Sequence, residues 1–211
     1  MALHRAPDDW RGIVRRGARL ASAGDEEGLG LLLSGFRWRY DTARNRAIRA
    51  VASLPAPPIP RLLRMLASAG TAVERRAAAD ALGLVGGRRV VAPLVRALRD
   101  PNMVVRRAAM TALLRLRARE AVPAIARLLR DESGGVRVLA AAVLGRFRDK
   151  SAVRALVAAL RDEKWYVRQA AAQALGELRD RRAVSALTRA ARDPRLAVAH
   201  AARRSLMLVR R

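Results

Sequence analysis

Residues 100–129 read DPNMVVRRAAMTALLRLRAREAVPAIARLL, and this stretch decides the fold. Its first apolar residues follow the i, i+4, i+7, i+8, i+11 spacing of one buried helix face: Val105, Ala109, Ala112, Leu113 and Leu116. After a short polar break a second apolar stripe follows, formed by Val122, Ile125 and Leu129. Neither helix could bury its stripe alone, so the stretch predicts a helix pair that stacks on further pairs.

The same pattern recurs every 31 residues. One column of the repeat is leucine, at Leu82, Leu113, Leu144, Leu175 and Leu206. A second column is alanine, at Ala78, Ala109, Ala140, Ala171 and Ala202. The register extends back to Arg44, and residues 9–35 show a degenerate version of it. The chain is therefore a tandem repeat.

This register predicts an all-α, right-handed α-solenoid of about six helix pairs followed by a C-terminal capping helix. We expect one continuous solenoid with a degenerate N-terminal capping repeat at 1–43, regular repeats at 44–195 and the capping helix at 196–211. Asp100-Pro101 and Asp193-Pro194 are predicted to be N-caps followed by proline at the first helical position. Gly83, Gly145 and Gly176 are predicted to help the first helices stop.

The motif DEKWYVRQAAAQALG at 162–176, followed by Arg182-Ala-Val184, resembles the HEAT-like repeats named after phycobilisome lyases. The resemblance covers Arg44 to the C-terminus well and residues 1–43 weakly. It implies the fold and leaves the function open, because relatives include bilin lyase subunits, an iron hydroxylase, DNA glycosylases and pure scaffolds. The His-Glu pairs of the hydroxylase relatives are absent, since His4 precedes Arg5 and His200 precedes Ala201.

Composition narrows the chemistry further. The chain has 211 residues and no cysteine, which excludes disulfides, Cys-ligated zinc, iron–sulfur clusters and thiol catalysis. Its formal net charge is +25, and of its 43 basic residues only Lys150 and Lys164 are lysine. This surplus predicts an acidic partner: nucleic acid first, then an anionic membrane or an acidic protein. Without a leader or a spanning apolar run, the sequence predicts a soluble, cytoplasmic protein.

The repeat sorts the arginines into columns. Arg44, Arg75, Arg106, Arg137 and Arg168 lie beside the column Asp100, Asp131, Asp162 and Asp193, and in the resembled family such columns form an Arg–Asp ladder. A third column, Arg99, Arg130, Arg161 and Arg192, falls at second-helix C-termini, and the aspartate that follows each arginine is predicted to neutralise it partly.

The turns within each helix pair are predicted to form a positive ridge that could follow a phosphate backbone. Its cations are Arg88, Arg89, Arg117, Arg119, Arg148, Lys150, Arg179, Arg181 and Arg182. The alternative interpretation is a solvated charged edge that keeps an Ala-rich solenoid soluble.

The first helices are expected, by the family resemblance, to line a concave surface. Their exposed positions are predicted to bind a partner: Met103, Arg107, Met110, Thr111, Val138, Trp165, Tyr166, Gln169 and Gln173. Trp-Tyr at a helix start, with Met and Gln nearby, is typical of a protein-binding or peptide-binding surface. The alternative is that Trp165 and Tyr166 only cover the next repeat.

The sequence thus predicts a non-catalytic scaffold, without cofactor or metal, that docks an acidic protein or a nucleic-acid-containing partner. The concave helices would supply specificity, and the basic ridge would add electrostatic attraction. Two alternatives stay open. One is sequence-independent binding of DNA or RNA, and the other is a bilin-lyase-like subunit, which would need a tetrapyrrole pocket.

Overall fold

A computed structural model describes residues 7–38, 40–68 and 70–210. The chain divides into two compact units, an N-terminal unit of Met1–Leu116 and a C-terminal unit of Arg117–Arg211. Within the described residues, thirteen α-helices alternate with short turns, six of which contain a 3₁₀ turn. The predicted all-α solenoid fold is confirmed, and in chain order the helices form six pairs with one helix left over. His4 lies outside the described residues.

The N-terminal unit contains seven helices. They are α1 (Trp10–Ser22), α2 (Glu26–Ser34), α3 (Asp41–Ala52), α4 (Ile59–Ser68), α5 (Ala72–Val85), α6 (Val91–Ala97) and α7 (Met103–Arg115). The first helices of the pairs are α1, α3, α5 and α7. The 3₁₀ turn Arg88–Val90 leads directly into α6.

The C-terminal unit contains six helices. They are α8 (Val122–Arg127), α9 (Gly134–Phe147), α10 (Val153–Ala159), α11 (Trp165–Leu178), α12 (Val184–Ala190) and α13 (Leu196–Arg210). The first helices here are α9 and α11, and α13 is the helix left over. The 3₁₀ turns Arg119–Ala121, Lys150–Ala152 and Arg181–Ala183 each lead into a second helix.

The core consists of the apolar columns that the repeat predicts. All five residues of the alanine column are fully buried, and so are Leu82, Leu113, Leu144 and Leu175 of the leucine column. Each such leucine contributes about 2–3 kcal/mol through the apolar surface that it removes from water. Leu206, the last member of that column, is half-buried because α13 ends the repeat.

First helices pack more closely than second helices within each unit. Helix α5 lies along α7, and α11 lies along both α9 and α13, whereas α10 makes only slight contact with α8. A stack of pairs with close first helices and spaced second helices curves toward its first helices. That the first helices line the inner surface of each unit stays a prediction.

Glycine explains the close approach, and our prediction for these glycines was wrong. Gly83, Gly145 and Gly176 lie inside α5, α9 and α11 rather than ending them. A Cβ on Gly83 would lie 2.6 Å from the Ala112 Cβ, and one on Gly176 would lie 2.5 Å from the Ser205 hydroxyl oxygen. These glycines are therefore small contact points between neighbouring first helices.

The predicted N-caps are also wrong. Helix α7 begins at Met103 and its cap is Asn102, whose side chain accepts from the Val104 amide at 2.9 Å. Helix α13 begins at Leu196, two residues after the predicted proline position. The aspartates accept from the amide two residues later and, at the same time, from an arginine, so they shape the turn before the helix.

We expect Gly83→Ala to lower the free energy of unfolding by about 1–2 kcal/mol, because the added methyl group meets the α7 backbone. The matched control is Gly30→Ala in α2, where a Cβ would have no neighbour within 4 Å. That change should raise stability by about 0.5–1 kcal/mol through helix propensity. Urea denaturation of both variants measures the difference, and equal effects of the two substitutions would contradict this role for Gly83.

Candidate partner-binding surfaces

An Arg–Asp ladder connects successive repeats inside each unit. Arg75 binds Asp100 through two hydrogen bonds, of 2.7 and 3.0 Å, and Arg168 binds Asp193 with the same two distances. Arg137 donates to Asp162 at 3.0 Å. Hydrogen bonding from Arg168 lowers the pKa of Asp193, and hydrogen bonding to Asp162 raises the pKa of Arg137. These partly buried pairs hold repeats together and are poor candidates for a site.

The first member of the ladder column departs from the pattern. The sequence has Ala69 where later repeats have the ladder aspartate. Arg44 instead pairs with Asp41 of its own helix and donates to the Trp38 carbonyl oxygen at 2.7 Å. Burial of its guanidinium lowers the pKa of Arg44.

The ladder changes the charge balance of the second helices. We predicted that the aspartate after each terminal arginine would neutralise it, but Asp100, Asp162 and Asp193 are engaged by ladder arginines. On the second helices of the C-terminal unit and directly after them, six exposed arginines make no ion pair with a described residue: Arg127, Arg130, Arg154, Arg161, Arg189 and Arg192. The Arg–Asp ladder was predicted from the sequence, but its effect on the charge of the second-helix side was not.

A groove lies between α8 and α10 on the second-helix side. It encloses about 770 Å³ over a floor of small residues that includes Ala126, Ala155 and Ala159. Its wall carries arginines together with the carboxylates of the Arg137–Asp162 pair and Glu163. Four arginines and three carboxylates line this groove, so positive and negative charges lie close together in it.

The exposed aromatic residues begin α11. Trp165 and Tyr166 are 40% and 39% exposed, and their rings meet edge to face with centroids 5.8 Å apart. A Cβ on Gly134 would lie 2.6 Å from the Tyr166 hydroxyl oxygen, so Tyr166 rests on the start of α9. This contact with the neighbouring repeat covers part of the Tyr166 ring, and both side chains keep a part of their surface in solvent.

Polar residues continue this surface along α11 and α13. Gln169 is half-buried and Gln173 is exposed, and together with His200 and Arg204 they line a groove of about 520 Å³. Glu177 and Leu208 close its far end. We call these residues, with Trp165 and Tyr166, the first-helix surface of the C-terminal unit. Val138 of α9 is half-buried.

The N-terminal unit holds the remaining predicted first-helix residues. Met103 and Arg107 are exposed, and the half-buried Thr111 donates its hydroxyl to the Arg107 carbonyl oxygen at 3.0 Å. Met110 was predicted to be exposed and is fully buried. Its equivalents Ala79, Ala141 and Ala172 are also fully buried, so alanine at this position in three other repeats was the signal that it belongs to the core.

The predicted ridge is exposed, but its charges are not equivalent. All nine cations are exposed, two of them in the N-terminal unit. Arg182 is neutralised because it donates to both carboxylate oxygens of Asp180, at 2.9 and 2.7 Å. Those hydrogen bonds lower the pKa of Asp180 to about 2. Six cations of the C-terminal unit make no ion pair with a described residue: Arg117, Arg119, Arg148, Lys150, Arg179 and Arg181.

Three of these arginines have left-handed backbone conformations. The φ values are 52° at Arg117, 51° at Arg148 and 48° at Arg179, and the equivalent position of an earlier repeat is Gly86 with φ 82°. For a residue with a Cβ this conformation costs roughly 1–2 kcal/mol, which glycine avoids. Gly86, lying 31 residues before Arg117, has a ψ of −169° and therefore a different backbone conformation from Arg148 and Arg179.

Two further findings bear on chemistry. Over the described ranges, no three His, Asp or Glu side chains are grouped so that they could hold a metal ion. None of the helices in the described part of the chain combines the length and apolarity needed to cross a membrane.

We expect Asp193→Asn to lower the free energy of unfolding at pH 7 by about 2 kcal/mol, because Arg168 loses its carboxylate partner. The folded pKa of Asp193 is lowered. The pair therefore stabilises fully above about pH 4, and this contribution is lost as the pH falls through the folded pKa. Urea denaturation between about pH 5 and pH 2 should show a shallower decline for the variant than for the wild type.

The control for this ladder prediction is Glu120→Gln, which removes an exposed carboxylate. It should change neither the stability at pH 7 nor the shape of the pH curve. Parallel pH curves for Asp193→Asn and the wild type would contradict the stabilising role of the ladder.

We expect Arg148→Gly to raise the free energy of unfolding by about 1 kcal/mol, because glycine relieves the left-handed conformation. Arg146→Gly, two residues earlier within α9, should lower stability by about 1 kcal/mol through helix propensity. Thermal or urea denaturation measures both effects. A loss of stability in Arg148→Gly would show that the arginine side chain itself stabilises the turn.

Comparison with known proteins supports the fold. No protein of curated function matches the sequence. The Escherichia coli protein YibA is similar in structure, with a TM-score of 0.59, 19% identity, and 93% of this chain and 82% of that chain covered. A designed armadillo repeat protein in complex with the peptide (KR)4 gives a TM-score of 0.57 at 17% identity, with 84% and 98% covered.

The complex of CpcE and CpcF of phycocyanin lyase from Nostoc sp. PCC7120 gives a TM-score of 0.46 at 18% identity, with 96% and 88% covered. That likeness carries no argument about activity. The family described as HEAT repeats matches residues 59–142 and 123–207. The repeat register, the stacked helix pairs and this match agree, and the chain belongs to the HEAT repeat family.

Proposed function

We propose that this chain is a non-catalytic interaction scaffold that binds an acidic protein through the first-helix surface of its C-terminal unit. The observation that carries the proposal is the exposed Trp165–Tyr166 pair at the start of α11. Exposed aromatic residues beside amide side chains are typical of binding hot spots, because they bury a large apolar area at a low cost in side-chain entropy.

The rest of the first-helix surface supports a peptide or protein partner. Gln169 and Gln173 each offer an amide that both donates and accepts, which suits the main chain of a bound segment. Arg204 and His200 supply donors for carboxylates, while Glu177 places an acceptor at one end. This mixed polar surface with aromatic anchors resembles a protein interface more closely than a phosphate groove.

The net charge of the chain favours one kind of protein partner. The net charge of +25 favours an acidic partner through long-range attraction. The similar designed armadillo repeat protein is in complex with a basic peptide, (KR)4. HEAT and armadillo repeat proteins commonly bind protein partners, and the positive charge of this chain favours an acidic partner over a basic peptide of that kind.

We expect Trp165→Ala to reduce partner binding at least tenfold, because it removes the larger aromatic anchor. Tyr40→Ala is the matched control, since it removes an aromatic side chain that is 53% exposed in the other unit. Each chain is immobilised, incubated with nuclease-treated native lysate, and the retained proteins are quantified by mass spectrometry. The proposal predicts an acidic protein retained by the wild type and by Tyr40→Ala, and lost by Trp165→Ala.

Two results of that experiment would contradict the proposal. One is equal retention by Trp165→Ala and the wild type, which would place binding elsewhere. The other is loss of all specific retention after nuclease treatment, which would show that nucleic acid, rather than a protein, connects the retained material to the chain.

A further inference from the structure

The turns at one edge of the C-terminal unit form a ladder of fixed cations. Each turn follows a first helix and precedes a second helix, and the three turns are 117–121, 148–152 and 179–183. Neighbouring turns are linked by a hydrogen bond and by a charge interaction. The Arg182 guanidinium donates to the Lys150 carbonyl oxygen at 3.1 Å, and the charge of Arg119 acts on Asp149 in the next turn. Adjacent helices of a stack lie roughly 8–10 Å apart, so the cations recur at about that spacing.

Carboxylates of these turns are already occupied. Asp149 accepts from the Ser151 amide at 2.9 Å, and Asp180 is held by Arg182 while accepting from its amide at 2.9 Å. The remaining acid of the turns, Glu120, is exposed. The same turns carry six cations that make no ion pair with a described residue: Arg117, Arg119, Arg148, Lys150, Arg179 and Arg181. The edge therefore offers six cationic hydrogen-bond donors and one exposed carboxylate, Glu120.

The left-handed conformations fix the backbone at three of these cations. Arg117, Arg148 and Arg179 have φ values near 50°, and Arg148 and Arg179 are the residues that end α9 and α11. All three arginines are exposed and receive no ion-pair compensation from described residues. Glycine adopts this conformation with less strain, so each of these positions can lose its side chain without loss of the turn.

We propose that this edge, defined as the turn ridge of Arg117, Arg119, Arg148, Lys150, Arg179 and Arg181, binds the phosphate backbone of nucleic acid without reading its bases. Arginine presents a planar fork of N–H donors that matches phosphate oxygens, and several such forks at a fixed spacing hold successive phosphates. Apolar and aromatic contacts, which base or peptide recognition would use, are absent from these six described side chains. The ridge shares no residue with the first-helix surface, and this proposal does not rest on the proposed function.

The test compares two triple variants that remove the same charge. Arg117→Gly, Arg148→Gly and Arg179→Gly together take three cations from the ridge while relieving strain, so misfolding would not explain a loss of binding. Arg127→Gln, Arg161→Gln and Arg192→Gln together remove three exposed cations from the second helices. The probes are a fluorescein-labelled 20-base-pair DNA duplex and a labelled peptide of twelve glutamates, titrated by anisotropy at several salt concentrations.

The proposal predicts that the glycine triple variant loses at least tenfold in duplex affinity at 100 mM salt and that its log–log salt slope falls by about two to three. The glutamine triple variant should keep the wild-type slope. Replacing the same three ridge arginines by lysine should preserve most of the binding, because the charge remains.

Three outcomes would overturn the proposal. Equal losses in the two triple variants would show that net charge, rather than the ridge, attracts DNA. Binding of the glutamate peptide that matches duplex binding would show no preference for phosphate. Absence of duplex binding by the wild-type chain at 50 mM salt would remove the site altogether. Trp165→Ala should leave duplex binding unchanged, which keeps this test separate from that of the protein partner.

Discussion

Successive first helices approach so closely that the contact points between them must be glycine, alanine or serine. Gly83 against Ala112, Gly145 against Ala174 and Gly176 against Ser205 show this constraint in both units. Small side chains at the contact bring the helix backbones together, and the larger leucines then fill the space between first and second helices. The low aromatic content follows from the same constraint, since a bulky ring at these positions would separate the repeats.

Close packing of first helices leaves two edges with different chemistry. The helix starts present Trp165 and Tyr166 beside amides and a few charges, whereas the turns after the first helices present cations. The Arg–Asp ladder lies at the connections between repeats, where it consumes acidic residues for structure. As a result, part of the net charge of +25 is carried by exposed cations of the turns and of the second-helix side that make no ion pair with a described residue.

Much of this architecture could be predicted from the sequence, because a tandem repeat shows the same residue types at equivalent positions several times. The leucine and alanine columns fixed the number and order of the helices, and the ladder pairs followed from the family register. Errors arose where one repeat was interpreted alone. Met110 looked exposed by helical spacing, yet its alanine equivalents show a core position. The glycines looked like helix ends, although their contacts lie on the neighbouring helix and have no signature within one repeat.

Backbone conformation in the turns and ion pairing between side chains were harder to predict from the sequence. The left-handed backbone of Arg117, Arg148 and Arg179 contradicts residue preference, so residue type alone did not predict it. Neutralisation of Arg182 by Asp180 depends on a side-chain geometry that a count of charges in the turn does not reveal.

Hydrogen–deuterium exchange of the chain with and without its captured protein partner tests most directly the claim that the first-helix surface binds that partner. The account predicts slower exchange at 165–177 and 196–208, and protection confined to α8, α10 and α12 would contradict it.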